Sequence, residues 1–146
     1  MEIQKIADKL ALKELVDTFS NLADIKDTKT QAQLFVEDAN LESFNGDYHS
    51  IQTGRDEIEA ACANFLSLFD TVYHLNGQQV VEIDDNGQRA TGTAYCHVVL
   101  IGKNEDGKTV QTTQGVRYND EYVKIDNNWK IANRTSHFVY TDTKEL

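Results

Sequence analysis

Apolar residues recur at helical spacing in the first part of the chain. Between residues 3 and 23 they follow one another at intervals of three and four, which predicts an α-helix with a wide apolar face. A second, short helix is predicted from Thr28, with Thr28 and Gln31 as its capping box, and it should continue to about Val36. A third helix should begin after Gly54, where carboxylates in the first turn complement the positive end of the helix dipole.

The second half of the chain changes to long segments rich in Val, Ile, Thr and Tyr. Two of their connectors end in an Asn-Gly or Asp-Gly pair, which is typical of hairpins because glycine tolerates positive φ. The sequence therefore predicts an α+β fold, in which three helices of the N-terminal half cover the concave face of a cone-shaped, strongly curved and mostly antiparallel sheet. The length of 146 residues fits one domain over residues 1–146. The long strands are predicted at 72–83, 89–102, 109–124 and 128–140, after short ones at 38–44 and 48–53.

Charge and cysteine usage narrow the range of partners. The chain carries 14 Lys and Arg against 24 Asp and Glu, a net charge of −10. Such a field repels phosphate backbones and anionic headgroups, so nucleic acid and membrane surfaces are poor partners. The two cysteines, Cys62 and Cys96, fit no metal-ligand spacing, and the N-terminus has no apolar leader segment. We expect a cytoplasmic protein with reduced thiols.

A cone leaves a pocket at its open end, and pockets of this kind bind small, mostly apolar molecules. If the first two long strands pair without a bulge around a turn at residues 85–86, His74 lies opposite His97. Such a pair is either exposed on the outer face or buried in the pocket, where imidazoles exchange protons near neutral pH. In the second case Asp24, at the end of the first helix, would accept a hydrogen bond from His97 and fix its tautomer.

Six short motifs follow one another along nearly the whole chain. They are FSNLAD at 19–24, FVEDA at 35–39, GRDEI at 54–58, HLNG at 74–77, ATGTAYCH at 90–97 and YVKIDNNWKIANR at 122–134. Their order and spacing resemble the SnoaL-like branch of the nuclear transport factor two-like (NTF2-like) superfamily, which includes scytalone dehydratase and bile-acid dehydratase. This fold hosts dehydratases, isomerases, cyclases, hydrolases and binding modules, so the resemblance is stronger evidence for fold than for function.

The resemblance implies a cofactor-independent, dehydratase-like lyase or isomerase that acts on a small hydrophobic carbonyl compound. In this interpretation His97, oriented by Asp24, takes a proton next to the carbonyl, and His74 donates to the developing oxyanion or to the leaving oxygen. Where the dehydratases often carry a tyrosine this chain has Phe19, so the missing hydroxyl would come from another residue. The candidates for it are Tyr48, Tyr73, Tyr95 and Tyr118. The expected substrate-binding residues are Phe19, Tyr95, Tyr118 and Arg134.

Several alternatives stay open at this point. A ligand-binding or accessory module without catalysis is favoured by Phe19, and a metal site built from the four histidines is disfavoured because no two are close in sequence. Arg134 stands five residues after Trp129, so a regular strand puts them on opposite faces. Either a bulge intervenes or Arg134 is a surface residue paired with an acid, and the surface interpretation is preferred. The resemblance also implies a homodimer packed through the outer face of the sheet, whose apolar positions are costly to leave in water.

Overall fold

A computed structural model describes residues 2–146 as three helices and six strands, which confirms the α+β fold class. The helices are α1 (Ile3–Asp24), α2 (Thr28–Ala32) and α3 (Arg55–Leu66). The strands are β1 (Phe35–Asn45), β2 (Tyr48–Thr53), β3 (Thr71–Ile83), β4 (Arg89–Lys103), β5 (Thr109–Ile125) and β6 (Asn128–Glu145).

All six strands form one curved sheet in the order β2-β1-β6-β5-β4-β3. The β1–β6 pair is parallel and the other four pairs are antiparallel, so the predicted mostly antiparallel sheet is confirmed. Strand β3 is an edge strand, since β4 is its single neighbour in the sheet. The helices of the N-terminal half pack against the inner face, with α1 lying across β3.

The core consists of two groups of buried side chains on this inner face. Alternation along each strand directs every second side chain towards the helices. One group joins α1 to the strands β1, β5 and β6, and the other joins the end of α1 and α3 to β4 and β5. The first includes Leu12, Val16, Phe19, Phe35, Tyr122 and Ile131, and the second includes Ala23, Leu66, Val98, Leu100, Val116 and Tyr118.

Two predicted boundaries are wrong. Helix α2 ends at Ala32, and its cap is the Asp27 carboxylate, which accepts a hydrogen bond from the Thr30 amide at 3.1 Å. Phe35 and Val36, expected to continue this helix, belong to β1, because Phe35 pairs with Ile131 of β6 and this tertiary pairing overrides local preference. Strand β6 also continues beyond the predicted residue 140, pairing with β5 as far as Glu145.

Among the helices within residues 2–146, not one is both long enough and apolar enough to cross a bilayer.

Candidate functional site

A cavity of about 230 Å³ opens between the helices and the inner face of the sheet. Its apolar wall comes from both core groups, and its polar groups are neutral serine, asparagine, glutamine and tyrosine side chains together with one histidine and one cysteine. The apolar wall includes Phe19, Ala23, Leu66, Val98, Val116 and Phe138. The neutral polar groups include Ser43, Asn45, Ser50, Gln52, Gln114 and Ser136. At about 230 Å³ the cavity is smaller than the roughly 300–1,000 Å³ of usual ligand pockets, so its size suits a small molecule and its uncharged lining suits a neutral one.

One carboxylate and one imidazole meet at this cavity. Asp24 is the last residue of α1, and its Oδ1 lies 2.7 Å from Nδ1 of His74 in β3. The other carboxylate oxygen accepts the backbone N–H of His74 at 3.2 Å. The two side chains are 25% and 9% exposed, and His74 lines the cavity. Because a carboxylate only accepts, Nδ1 of the neutral ring carries the proton and Nε2 keeps its lone pair.

The surroundings of His74 keep its imidazole neutral. Burial lowers the pKa of His74, and the hydrogen bond and charge of Asp24 offset this only in part, so the pKa lies below its ordinary value. Near pH 7 the buried ring is therefore a neutral base with one nitrogen held by a carboxylate. This is the protonation state that a general base requires.

The predicted pairing of His74 with His97 is wrong. Near the turn Ile83 pairs with Ala90, and an irregularity between Asn76 and Gln79 shifts the register, so His74 lies opposite Val98. His97 lies opposite Leu75 and is exposed on the outer face. A shift of one residue turns a side chain to the other face of a sheet. The sequence signal for this bulge is Gly77, which lies within the irregular stretch, since a glycine inside a strand is typical of a bulge. Consequently, Asp24 bonds to His74 and not to His97.

The aromatic residues expected in the site divide between the two faces. Phe19 and Tyr118 line the cavity, and Tyr48 lines it as well. The placement of Tyr95 in the pocket is wrong, since it lies in an outer-face groove beside His97, and Tyr73 is also exposed. Burial raises the pKa of Tyr118, so its hydroxyl stays protonated and can act as a hydrogen-bond donor to a ligand.

The preferred surface interpretation of Arg134 is wrong, and so is its expected direct contact with substrate. Glu121 pairs with Asn133 but Tyr122 pairs with Ile131, so a bulge at residue 132 turns Arg134 inwards, to the face that also carries Trp129. Its side chain is 1% exposed and makes two hydrogen bonds, of 2.8 and 2.9 Å, to the buried carboxylate of Asp120. Arg134 is absent from the cavity lining among the described residues.

The guanidinium of Arg134 instead supports the cavity wall from behind. Its central carbon lies 3.7 Å from the ring centre of Tyr118 and 4.5 Å from that of Phe19. Burial opposes its charge, but Asp120 outweighs that effect and the pKa of Arg134 lies above its ordinary value. The positive charge is thus held behind two aromatic rings that line the cavity.

Gln31 and Cys62 are among the cavity residues that the sequence does not predict. Gln31, assigned to a cap, lines the cavity, and its Nε2 donates to the backbone carbonyl of Phe19 at 3.2 Å. Cys62 also lines the cavity, and burial raises the pKa of its thiol to about 11, so it is a neutral group. Neither placement has a signature in the spacing of the chain, because both depend on how α2 and α3 pack on the sheet.

Within residues 2–146 no group of three or more His, Cys, Asp or Glu side chains could hold a metal ion.

The chain matches the model of a known protein family. A family model described as a SnoaL-like domain matches residues 4–135. None of the curated proteins matches the chain.

Solved structures at low sequence identity share the fold. A candidate scytalone dehydratase from Novosphingobium aromaticivorans is 20% identical over 100% of this chain and 93% of its own, with a TM-score of 0.84. LinA is 19% identical over 99% and 92% of the two chains, with a TM-score of 0.77. An NTF2-like protein with a cystatin-like fold, also from Novosphingobium aromaticivorans, is 19% identical over 94% and 85%, with a TM-score of 0.71. Their similarity supports the fold.

Proposed function

The chain belongs to the SnoaL-like domain family, and we propose that it is a cofactor-independent, dehydratase-like lyase or isomerase. The substrate is a small, neutral, hydrophobic carbonyl compound bound in the cavity. The observation that carries the proposal is the 2.7 Å contact between Asp24 and His74, made by a buried imidazole in the wall of a largely apolar cavity. The likeness to a candidate scytalone dehydratase is consistent with this class of reaction.

The mechanism follows from the protonation state of the dyad. Nε2 of His74 takes the proton from the carbon next to the substrate carbonyl, and the electron pair of that bond moves into an enolate. The Asp24 carboxylate stabilises the imidazolium that forms. In a dehydration the β-hydroxyl then leaves, and the imidazolium returns the proton so that water is released. In an isomerisation the same proton returns to another carbon of the enolate.

Neutral donors of the cavity stabilise the enolate oxygen. The Tyr118 hydroxyl remains protonated because its pKa is raised by burial, and Ser136 and Gln114 add a hydroxyl and an amide to the same cavity. Hydrogen bonds to a developing oxyanion in a water-poor site contribute about 2.7–4 kcal/mol each in the best cases. The absence of a cation from the lining within residues 2–146 favours a neutral substrate over a carboxylate.

Turnover of a simple β-hydroxy ketone tests the proposal. The probe is the aldol adduct of acetone and benzaldehyde, which loses water to give benzylideneacetone, and the reaction is followed by the absorbance of this product. We expect dehydration above the spontaneous rate, with saturation in the probe. Isotope exchange of the proton next to the carbonyl, followed by proton NMR, detects enolate formation even where the hydroxyl does not leave. Binding of the probe without either reaction would favour a non-catalytic binding module.

The pH dependence of the reaction should report the neutral state of His74. Protonation removes the Nε2 lone pair, so activity is lost as the pH falls, and the lowered pKa places this loss below about pH 6.5. We expect kcat/KM to be constant between about pH 7 and pH 8. Below the pKa of His74 it should fall about tenfold for each pH unit. An acid limb with its midpoint above the ordinary histidine value would contradict the assignment.

We also propose that the chain forms a homodimer through the outer face of the sheet. A groove on that face is lined by Leu75, Tyr95, Val139 and Tyr140, which are 57%, 39%, 59% and 49% exposed. Leaving such side chains together in water is unfavourable. Light scattering should give twice the monomer mass, and Leu75→Lys with Val139→Lys should give the monomer. Thr91→Lys on the polar part of the same face is the matched control, and a monomeric parent would exclude the dimer.

A further inference from the structure

A second set of contacts joins α1 to β3 beside the Asp24–His74 pair. Asn76 lies two residues after His74, so both side chains point to the inner face. Nδ2 of Asn76 donates to the Val16 carbonyl at 3.1 Å and to Oδ1 of Asp17 at 2.9 Å, and its Oδ1 accepts from the Ser20 hydroxyl at 3.0 Å. Each polar atom of this amide is therefore bound to the helix.

These contacts lie on the face of α1 that carries Asp24. Ser20 is four residues before Asp24 and Asp17 is seven before it, which places the three side chains along one stripe of the helix. The strand contributes His74 and Asn76 at a spacing of two, and the helix contributes Asp24 and Ser20 at a spacing of four. Two adjacent pairs of contacting side chains, Asp24–His74 and Ser20–Asn76, therefore join the same two elements, and a shift of either element changes both.

The position of β3 depends unusually strongly on such side-chain contacts. It is an edge strand, so β4 alone holds it within the sheet. Its pairing with β4 is also irregular immediately after Asn76, where the register shifts before Gln79. Backbone hydrogen bonding therefore constrains this part of the strand less than it would in the centre of a sheet.

We infer that Asn76 is a positioning residue that sets the distance and angle between Asp24 and His74. The inference rests on the proposed function, in which this pair is the catalytic dyad. Asn76 holds β3 against α1 two residues after His74. It thereby keeps Nδ1 of His74 on the carboxylate and Nε2 directed into the cavity. Misplacement of a reacting group by about 1 Å can lower a rate by about 10²-fold, so a remote amide can have a large effect.

The chain offers a matched control for this role. Nε2 of Gln79, on the same strand beyond the bulge, donates to the Leu12 carbonyl of α1 at 3.2 Å. Asn76→Leu and Gln79→Met each replace an amide that binds α1 by an apolar side chain of similar shape. If these amides only stabilise the fold, the two variants should behave alike. If Asn76 positions the dyad, only Asn76→Leu should disturb it.

The experiment compares both variants with the parent protein by proton NMR and by kinetics with the aldol probe. In the ligand-free parent, the Nδ1 proton of His74 should give a resolved downfield resonance. We expect Asn76→Leu to lose this resonance and to lower kcat by about 10- to 100-fold with an unchanged KM. Gln79→Met should retain both, while the two variants lose comparable amounts of thermal stability.

The outcomes separate this inference from the proposed function. Retention of the resonance and of kcat in Asn76→Leu overturns the positioning role, and so does an equal loss in Gln79→Met. If the parent does not turn over the probe, the NMR comparison alone decides the positioning role. If Asn76→Leu does not fold, Ser20→Ala decides it, because removing the hydroxyl that orients the Asn76 amide should lower kcat by a smaller factor. Parent kcat in Ser20→Ala would then overturn the inference.

Discussion

Replacing His74 by alanine is expected to lower kcat/KM for the aldol probe by a factor of about 10²–10⁴, because the variant has no group to take the substrate proton. Asp24→Asn should cause a loss of the same order. The amide keeps the shape of the carboxylate but not its charge, so the imidazolium loses its partner and the tautomer is no longer fixed. Initial rates at saturating and limiting probe concentrations measure both effects.

The double variant tests whether the two side chains act as a unit. Residues that serve one step are strongly non-additive, so Asp24→Asn with His74→Ala should be little slower than His74→Ala alone. His49→Ala is the matched control, since His49 is an exposed histidine of β2 that contacts Phe44 and Glu42 of β1. Circular dichroism checks that each variant is folded. If the fold-losses in kcat/KM of the two single variants multiply in the double variant, the side chains act independently, which would contradict the dyad.

A parallel measurement on His97→Ala separates the sequence-based assignment from the structural one. The resemblance to the dehydratases makes His97 the base, whereas the structure places it on the outer face opposite Leu75. A loss as large as that of His74→Ala would favour the first assignment. A modest loss of activity seen only at low protein concentration, where a weakened dimer dissociates, would instead indicate that the outer face is an interface between subunits.

The elements of the fold were predictable because each has a local cause. The apolar spacing of α1, the glycine before α3 and the Gly-containing turns between β3, β4 and β5 all act within a few residues, and these elements are found close to where they were predicted. Phe35 shows the limit of this approach. It was assigned to a helix from its neighbours, but its pairing with Ile131, nearly a hundred residues away, places it in β1.

The site was less predictable because it depends on register. Asp24 and His74 come from the end of one element and the middle of another, and their meeting requires only that α1 crosses β3. The roles of His97 and Arg134 depend on bulges, which shift a strand by one residue and exchange its faces. Gly77 marks the bulge in β3, since a glycine inside a strand is typical of one, but strict alternation ignores it and assigns His97 to the pocket. No residue type in β6 marks the other bulge, so alternation assigns Arg134 to the surface.

Replacing Arg134 by methionine is expected to lower the free energy of unfolding by about 3–5 kcal/mol. Asp120 is fully buried, and its carboxylate accepts two hydrogen bonds from Arg134 and one from the Tyr122 hydroxyl at 2.7 Å. Methionine removes the positive partner but leaves the negative charge in the interior, where an unpaired ion is strongly unfavourable. Urea unfolding followed by tryptophan fluorescence measures the change, since Trp129 is the single tryptophan.

A second substitution shows whether the buried charge causes the loss. Asp120→Asn in the Arg134→Met background removes the unpaired charge while keeping a carbonyl that can accept from Tyr122. The double variant should therefore be more stable than Arg134→Met alone, although Asp120→Asn by itself destabilises the parent by leaving the guanidinium unpaired. Arg134→Lys keeps the charge but not the forked pair of donors, so its stability should lie between that of the parent and that of Arg134→Met. If the double variant loses as much free energy of unfolding as the two single variants together, the charges are not coupled. Arg134 then stabilises the protein through its packing against Tyr118 and Phe19.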